Sequence, residues 1–262
     1  MTFEDPLVLR SDRADGLTTL TLNRPGQFNS LSKDMLTALQ AELDAIAGSE
    51  GVRVVVIAGA GKAFCTGHDL KEMRANHDKG FMQALFRQCG DLMLTLTRMP
   101  QPVIARVHGI ATAAGCQLVS MCDLAVAADV ARFAVSGINV GLFCSTPAVG
   151  LARNLGRKAA LEMLLTGDFI DAMEAKSKGL VNRVVPADAL DAEVERLAQS
   201  ILAKSAVAVR IGKGMFYRQL EMGLSDAYDY ASEVMACNMM SDDAGEGIDA
   251  FMQKRPPQYK GR

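Results

Sequence analysis

The chain has 262 residues, 49% of them hydrophobic, with 28 basic and 30 acidic side chains and a formal net charge of -2. That apolar share fills the core of one large domain or two small ones. The near-neutral balance gives no electrostatic ground for a nucleic-acid or anionic-membrane partner, and no apolar run reaches the roughly twenty residues that span a bilayer.

The opening MTFEDPLVLRSDR mixes Glu4, Asp5 and Asp12 with Arg10 and Arg13, unlike a secretion signal or an acid-poor transit peptide. Leu17 to Leu22 alternates as a strand after a turn at Ala14-Asp15-Gly16. A helix is predicted after Ser32, with Met35, Leu39, Leu43 and Ile46 on one stripe. Val54-Val55-Val56-Ile57 is a continuous apolar run, as in a strand covered on both faces. Residues 102–107 and 123–127 give two more strands, with a helix over 113–121 between them. In the last third Leu190, Val194, Leu197 and Ile201 repeat at helical spacing, and helices follow over 206–220, 224–240 and 243–254. The pattern predicts an α/β core over residues 1–200 and a helical C-terminal region over 201–262, with Pro256-Pro257 stopping the last helix.

The cysteines (Cys65, Cys89, Cys116, Cys122, Cys144 and Cys237) form no CxxC pair, and with three scattered histidines they make no structural zinc motif. Free thiols suit a reducing compartment, and a cytoplasmic protein is expected.

Two segments share one plan. Residues 59–67, GAGKAFCTG, follow a strand and lead to a helix from Asp69; residues 108–115, HGIATAAG, follow another and run into the helix carrying Gln117. Such turns leave amide N–H groups without internal partners, and the helix dipole adds partial positive charge. Two of them converging would form an oxyanion hole, donors for a carbonyl oxygen that becomes an enolate. Residues 113–115 are small enough to let a ligand approach the backbone. Other glycine motifs are excluded. Phe64 stands where a dinucleotide fingerprint needs its third glycine, and Val56 and Ala63 break a Walker loop; no G-x-S-x-G or H-E-x-x-H occurs.

Four stretches together, LNRPGQFNSLS (22–32), AFCTGHDLKEM (63–73), HGIATAAGCQLVSMCDLAVAA (108–128) and AFMQKRPP (250–257), resemble the crotonase, or enoyl-CoA hydratase/isomerase, superfamily. The run ARFAVSGINVGLFCSTP (131–147), with Gln117, looks closer still to its enoyl-CoA hydratase domain-containing protein 3 subgroup. The resemblance implies a spiral of β-β-α turns whose C-terminal helices trimerise, as a homotrimer or a dimer of trimers. It implies an acyl-CoA thioester as partner, coenzyme A entering as part of the substrate, with no tightly bound cofactor and no metal. It assigns the oxyanion amides to His68 and Ala114, and places Ala63, Phe64, Asp69, Leu70 and Lys71 along the CoA adenine and pantetheine. Arg24 would meet the CoA phosphates, and Lys254 those of a neighbouring subunit, unless Lys254 is a solvated helix-end lysine beside Arg255.

The family's two catalytic glutamates fall on Gln117 and Gly137. An amide cannot take a proton at neutral pH and glycine offers no group. Losing one acid–base group costs ~10²–10⁴ in rate, so ordinary hydration is not expected. Restoring both glutamates is expected to raise it. Cys144, where some relatives carry an aspartate, is a base or nucleophile if its pKa is depressed, and otherwise a buried thiol. The His68 ring acts on the thioester or stacks beside the pocket; Asp69 is a helix N-terminal carboxylate or a catalyst. The functions open at this point are an enolate-forming acyl-CoA enzyme (isomerase, thioester hydrolase or lyase), a nominal hydratase, and a non-catalytic acyl-CoA binding or regulatory protein.

Overall fold

A computed structural model describes residues 5–262; Glu4 of the mixed-charge N-terminal stretch lies outside them. Strands β1 (Val8–Asp12) and β2 (Leu17–Leu22) form an antiparallel hairpin. Helix α1 (Lys33–Ala47) follows, capped by Ser32, whose hydroxyl accepts from Met35 N at 3.2 Å. Its predicted stripe of Met35, Leu39, Leu43 and Ile46 is fully buried.

From there the chain repeats one step: a strand of a large sheet, a short strand of a second sheet, then helix. β3 (Val54–Gly59) leads to β4 (Ala63–Cys65) and helices α2 (Leu70–Ala75) and α3 (Lys79–Arg98). β5 (Val103–Val107) leads to β6 (Ile110–Thr112) and α4 (Ala114–Met121). β7 (Leu124–Ala128) leads to β8 (Arg132–Ala134), a 3-10 turn, and helices α5 (Ser145–Asn154) and α6 (Arg157–Thr166). Strand β9 (Ile170–Asp171), α7 (Ala172–Ser177) and β10 (Arg183–Val185) close the spiral. The large sheet has the order β1-β2-β3-β5-β7-β10, parallel from β2 onward, and the second sheet has the order β4-β6-β8-β9. This is the predicted β-β-α spiral, with helices completing the chain.

Both faces of the central strands β3, β5 and β7 are covered, which is why they read as largely apolar runs. Val55, Ile57, Val103 and Ala105 face α1, α3 and α4 in the main core. Val54, Val56, Ile104 and Val126 face α8 (Leu190–Leu202) through Leu190, Val194 and Leu197. Helices α9 (Ala206–Gln219), α10 (Leu224–Met239) and α11 (Asp242–Met252) follow and pack largely on one another. A buried ion pair fastens α9 to the core: Lys213 Nζ donates to Asp123 Oδ2 at 2.6 Å and to the carbonyls of Leu96 and Gln101.

Two readings of the sequence are corrected. The glycine-rich segments 59–67 and 108–115 are not simple loops, because each contains a strand of the second sheet, β4 and β6. The last helix ends at Met252, before Lys254 and the prolines. Lys254 adopts the left-handed conformation (φ 53°), its N–H donating to Phe251 O and that of Arg255 to Ala250 O. That is a Schellman stop, and it ends the helix without help from Pro256.

Candidate functional site

After β4 the chain turns at Gly67 (φ 86°), whose carbonyl accepts from Leu31 N at 2.7 Å, while Leu31 O accepts from Asp69 N. This short parallel bridge holds residues 67–69 against the segment before α1. Within it the N–H of His68 donates to no acceptor among the described residues. On the other side β6 ends at Thr112 and is followed by Ala113, a non-glycine residue at φ 50° and ψ -122° that precedes α4. Ala113 N is tied to Ala134 O and Ala113 O accepts from Gln117 N, so the strained residue is fixed from both ends. Ala114 is then the first residue of α4, and its N–H has no acceptor among the described residues. The two segments touch, since a Cβ on Gly67 would stand 3.0 Å from Ala114 N. Two free amides, one with a helix dipole behind it, suit a carbonyl oxygen gaining negative charge.

Beside them opens a cavity of about 300 Å³ whose wall includes His68, Ala113, Ala114, Gly137 and Cys144. Leu70, Met73, Phe86, Leu142, Phe143 and Pro147 give it an apolar character. Among the described residues, only His68 and Cys144 on that wall can exchange a proton near neutrality. Burial pushes the Cys144 thiol up, against a hydrogen bond from Gly137 N–H, so it stays a neutral thiol. The His68 ring sets Nδ1 3.2 Å from Leu31 O, which requires the proton on Nδ1 and leaves Nε2 as an acceptor. Nε2 is closed off from solvent and has no partner. The ring meets Phe86 edge-on, centroids 5.4 Å apart, and burial holds its pKa below the ordinary histidine value against the pull of Leu31 O.

The other residues singled out in the sequence fall in three places. Gln117 lies one turn along α4, buried, with Oε1 unpartnered, and is not part of the cavity surface. Gly137 is on the cavity wall, but a Cβ there would stand 2.6 Å from Leu142 O and 2.7 Å from Cys144 Sγ. Leu70 lines the mouth, 57% exposed, and Lys71 is exposed on α2. Arg24 donates to Asp69 Oδ2 at 2.7 Å and to Ser30 Oγ. Asp69 caps α2 by accepting from Lys71 N and Glu72 N; burial tends to raise its pKa, but Arg24 and these amides hold it below the usual carboxylate range. The side chains of Ala63 and Phe64 are in the core, and their carbonyls accept from Asn29 Nδ2. Lys254 is exposed at the far end of the chain.

Sequence reasoning missed Asn29 and Leu31. Fully buried Asn29, at φ 55°, ties Arg24 N on one side and Ala60, Ala63 and Phe64 carbonyls on the other. An asparagine just after a glycine turn was the available signal, because Asn tolerates the left-handed region. Leu31 gave none, since it acts through its backbone.

Comparison with known proteins agrees with this architecture. The family model described as Enoyl-CoA hydratase/isomerase matches residues 12–262. The rat protein named enoyl-CoA hydratase domain-containing protein 3, mitochondrial, is 44% identical over 255 residues, covering 97% of this chain and 85% of the relative. A crystal structure of enoyl-CoA hydratase from Mycobacterium smegmatis superposes with a TM-score of 0.96 at 58% identity, covering 97% of this chain and 99% of that one. The human domain-containing protein 3 structure gives 0.93 at 44% identity, covering 97% and 100%. The cytoplasmic placement expected from the thiols is corrected: the rat and human relatives are named as mitochondrial proteins. Free cysteines report a reducing environment and do not say which one. The spiral, the paired turns and the agreement along nearly the whole length lead to one assignment: the chain belongs to the enoyl-CoA hydratase/isomerase family of the crotonase superfamily, alongside the domain-containing protein 3 subgroup.

Proposed function

We propose that the chain binds an acyl-CoA thioester with its carbonyl oxygen between the N–H groups of His68 and Ala114, and that its chemistry is enolate formation without addition of water. The observation that carries this is the pair of adjacent amides, both without acceptors, at the wall of an apolar cavity. The names of the relatives supply the thioester class. The substitutions argue against hydration, since Gln117 cannot exchange a proton and Gly137 has no side chain. No metal or tightly bound cofactor is invoked. Ala114→Pro tests the amide pair, because proline fits the first position of a helix while removing the donor. Calorimetry with butyryl-CoA should show binding weakened by a few-fold to about tenfold, matching one lost hydrogen bond. Unchanged affinity would overturn the placement.

A second reading, an acyl-CoA binding protein without turnover, is favoured by the loss of proton-exchanging groups at Gln117 and Gly137. Incubation with a panel of acyl-CoAs separates the two, because only an enzyme alters any of them.

We also infer that residues 201–262, one structural unit with the 1–200 core, form the oligomerisation region in a homotrimer or dimer of trimers. Leu224, Tyr228, Met235 and Met239 are exposed at spacings that share one face of α10. Light scattering on the purified protein tests this, and a monomeric mass refutes it. Arg24 and Lys254 remain candidates for the CoA phosphates, Arg24 only by sharing its guanidinium with Asp69.

A further inference from the structure

The family's carboxylates are absent, so a different group must take the proton if an enolate forms at all. We propose that the His68 side chain, acting from Nε2, is the proton acceptor for C2 of the bound thioester. This rests on the thioester reading above and goes beyond it, assigning the ring a role separate from that of its backbone N–H.

Three observations carry the assignment. First, the cavity wall holds just two proton-exchanging side chains among the described residues, His68 and Cys144. Cys144 is the N-cap residue of α5, but its thiol makes no capping bond, no cation stands beside it, and burial keeps it protonated. Second, the ring is oriented as a base. Leu31 O fixes the proton on Nδ1, leaving the Nε2 lone pair free, much as a buried acceptor orients a catalytic histidine. Burial keeps the imidazole unprotonated at neutral pH. Third, Nε2 is a buried acceptor without a donor, a rare condition that costs stability unless something uses it. Contact with C2 requires the apolar wall around the ring, where Phe86 stands edge-on, to part as the acyl chain enters.

The step balances without a co-reactant. The C2–H bond of a 3-enoyl thioester breaks, its proton forms the Nε2–H bond, and the electron pair spreads over C2, C4 and the thioester oxygen. That oxygen is held by the N–H groups of residues 68 and 114. Return of the proton to C2 restores the starting ester, and return to C4 gives the 2-enoyl isomer. The same opening of the wall lets the imidazolium exchange its proton with D2O, so deuterium enters at either carbon.

The test is deuterium incorporation into 3-hexenoyl-CoA, read by mass spectrometry beside its binding by calorimetry. His68→Asn can keep a donor toward Leu31 O and keeps the backbone N–H while removing the base. His68→Gln is the second variant should the first fold poorly. The parent protein should bind the ester and exchange it, and both variants should bind comparably with exchange reduced by about 10²–10⁴-fold. Variant exchange within about twofold of the parent overturns the proposal, as does a parent that binds the ester without exchanging it. Those two results leave the thioester reading standing. A parent that binds no CoA ester removes that reading and this one with it.

Discussion

A Cβ placed on Gly67 would lie 3.0 Å from the backbone nitrogen of Ala114 and 2.8 Å from the Cβ of Ala113. The turn after β4 and the start of α4 are therefore in contact, and no larger residue leaves the two amides in place. Gly67 also sits at φ 86°, which costs an L-residue about 1–2 kcal/mol. Gly67→Ala should lower stability by at least that much in urea titration. Butyryl-CoA affinity should fall with it, because the amides of residues 68 and 114 are pushed apart. Full affinity in a folded Gly67→Ala protein contradicts a shared oxyanion site.

Putting the family glutamates back is less simple than the sequence suggests. With Leu142 O at 2.6 Å and Cys144 Sγ at 2.7 Å from a Cβ on Gly137, the backbone of the 137–144 segment has to move to admit any side chain. Gly137→Glu is thus expected to cost about 1–3 kcal/mol, as overpacking does, and to add no hydration. The lack of room for a Cβ at residue 137 weighs against the expectation that restoring both glutamates raises hydration. Crotonyl-CoA absorbance and a thermal melt of Gly137→Glu, alone and with Gln117→Glu, check it. Brisk hydration by the double variant shows that the segment yields.

The centre of the large sheet was legible because both its faces are covered there, so Val54 to Ile57 and Val103 to Ala105 read as unbroken apolar runs. The second sheet was not. Its strands β4 and β6 have three residues each and sit inside glycine-rich turns, where three apolar residues carry no period. The site was half legible: small residues at 113–115 and Gly67 announce a close backbone approach. Sequence could not show that Ala63 and Phe64 turn into the core, that Asp69 holds Arg24, or that Gly137 has no room to grow. Those facts depend on which strand neighbours which.

The contact between Lys213 and Asp123 predicts how the C-terminal helices are held. The ammonium is almost fully buried, burial pulls its pKa down against Asp123, and it satisfies Asp123 Oδ2 and two main-chain carbonyls at once. Tyr217 donates to the other carboxylate oxygen at 2.9 Å. Lys213→Met leaves the Asp123 carboxylate without its counter-charge, though Tyr217 and Val103 N still donate to it, and breaking such a buried pair costs about 3–5 kcal/mol. Hydrogen exchange should report faster opening of α9 than in the parent, together with a lower urea midpoint. A midpoint unchanged within error means that apolar packing alone holds α9 to the core.

Acid should weaken the fold before the carboxylates titrate. Burial lowers the folded-state pKa of both His68 and His108, with Leu31 O and Gly61 O opposing it respectively. The unfolded chain takes up these protons near the ordinary histidine value of about 6.5, while the folded chain resists until lower pH. Unfolded protein thus binds more protons in this window, and stability rises with pH there. The contribution is complete above about pH 6.5 and is lost as pH falls toward the depressed folded values. The carboxylates with lowered values, such as Asp69 and Asp191, act further down, below their unfolded pKa near 4. Urea titrations between pH 7.5 and about pH 5 should show a decline in the parent and a shallower one in His68→Asn, because one of the two resisting imidazoles is gone. Equal slopes in the two proteins mean that the His68 ring is protonated as readily in the fold as in water, and its role as a neutral base falls with that result.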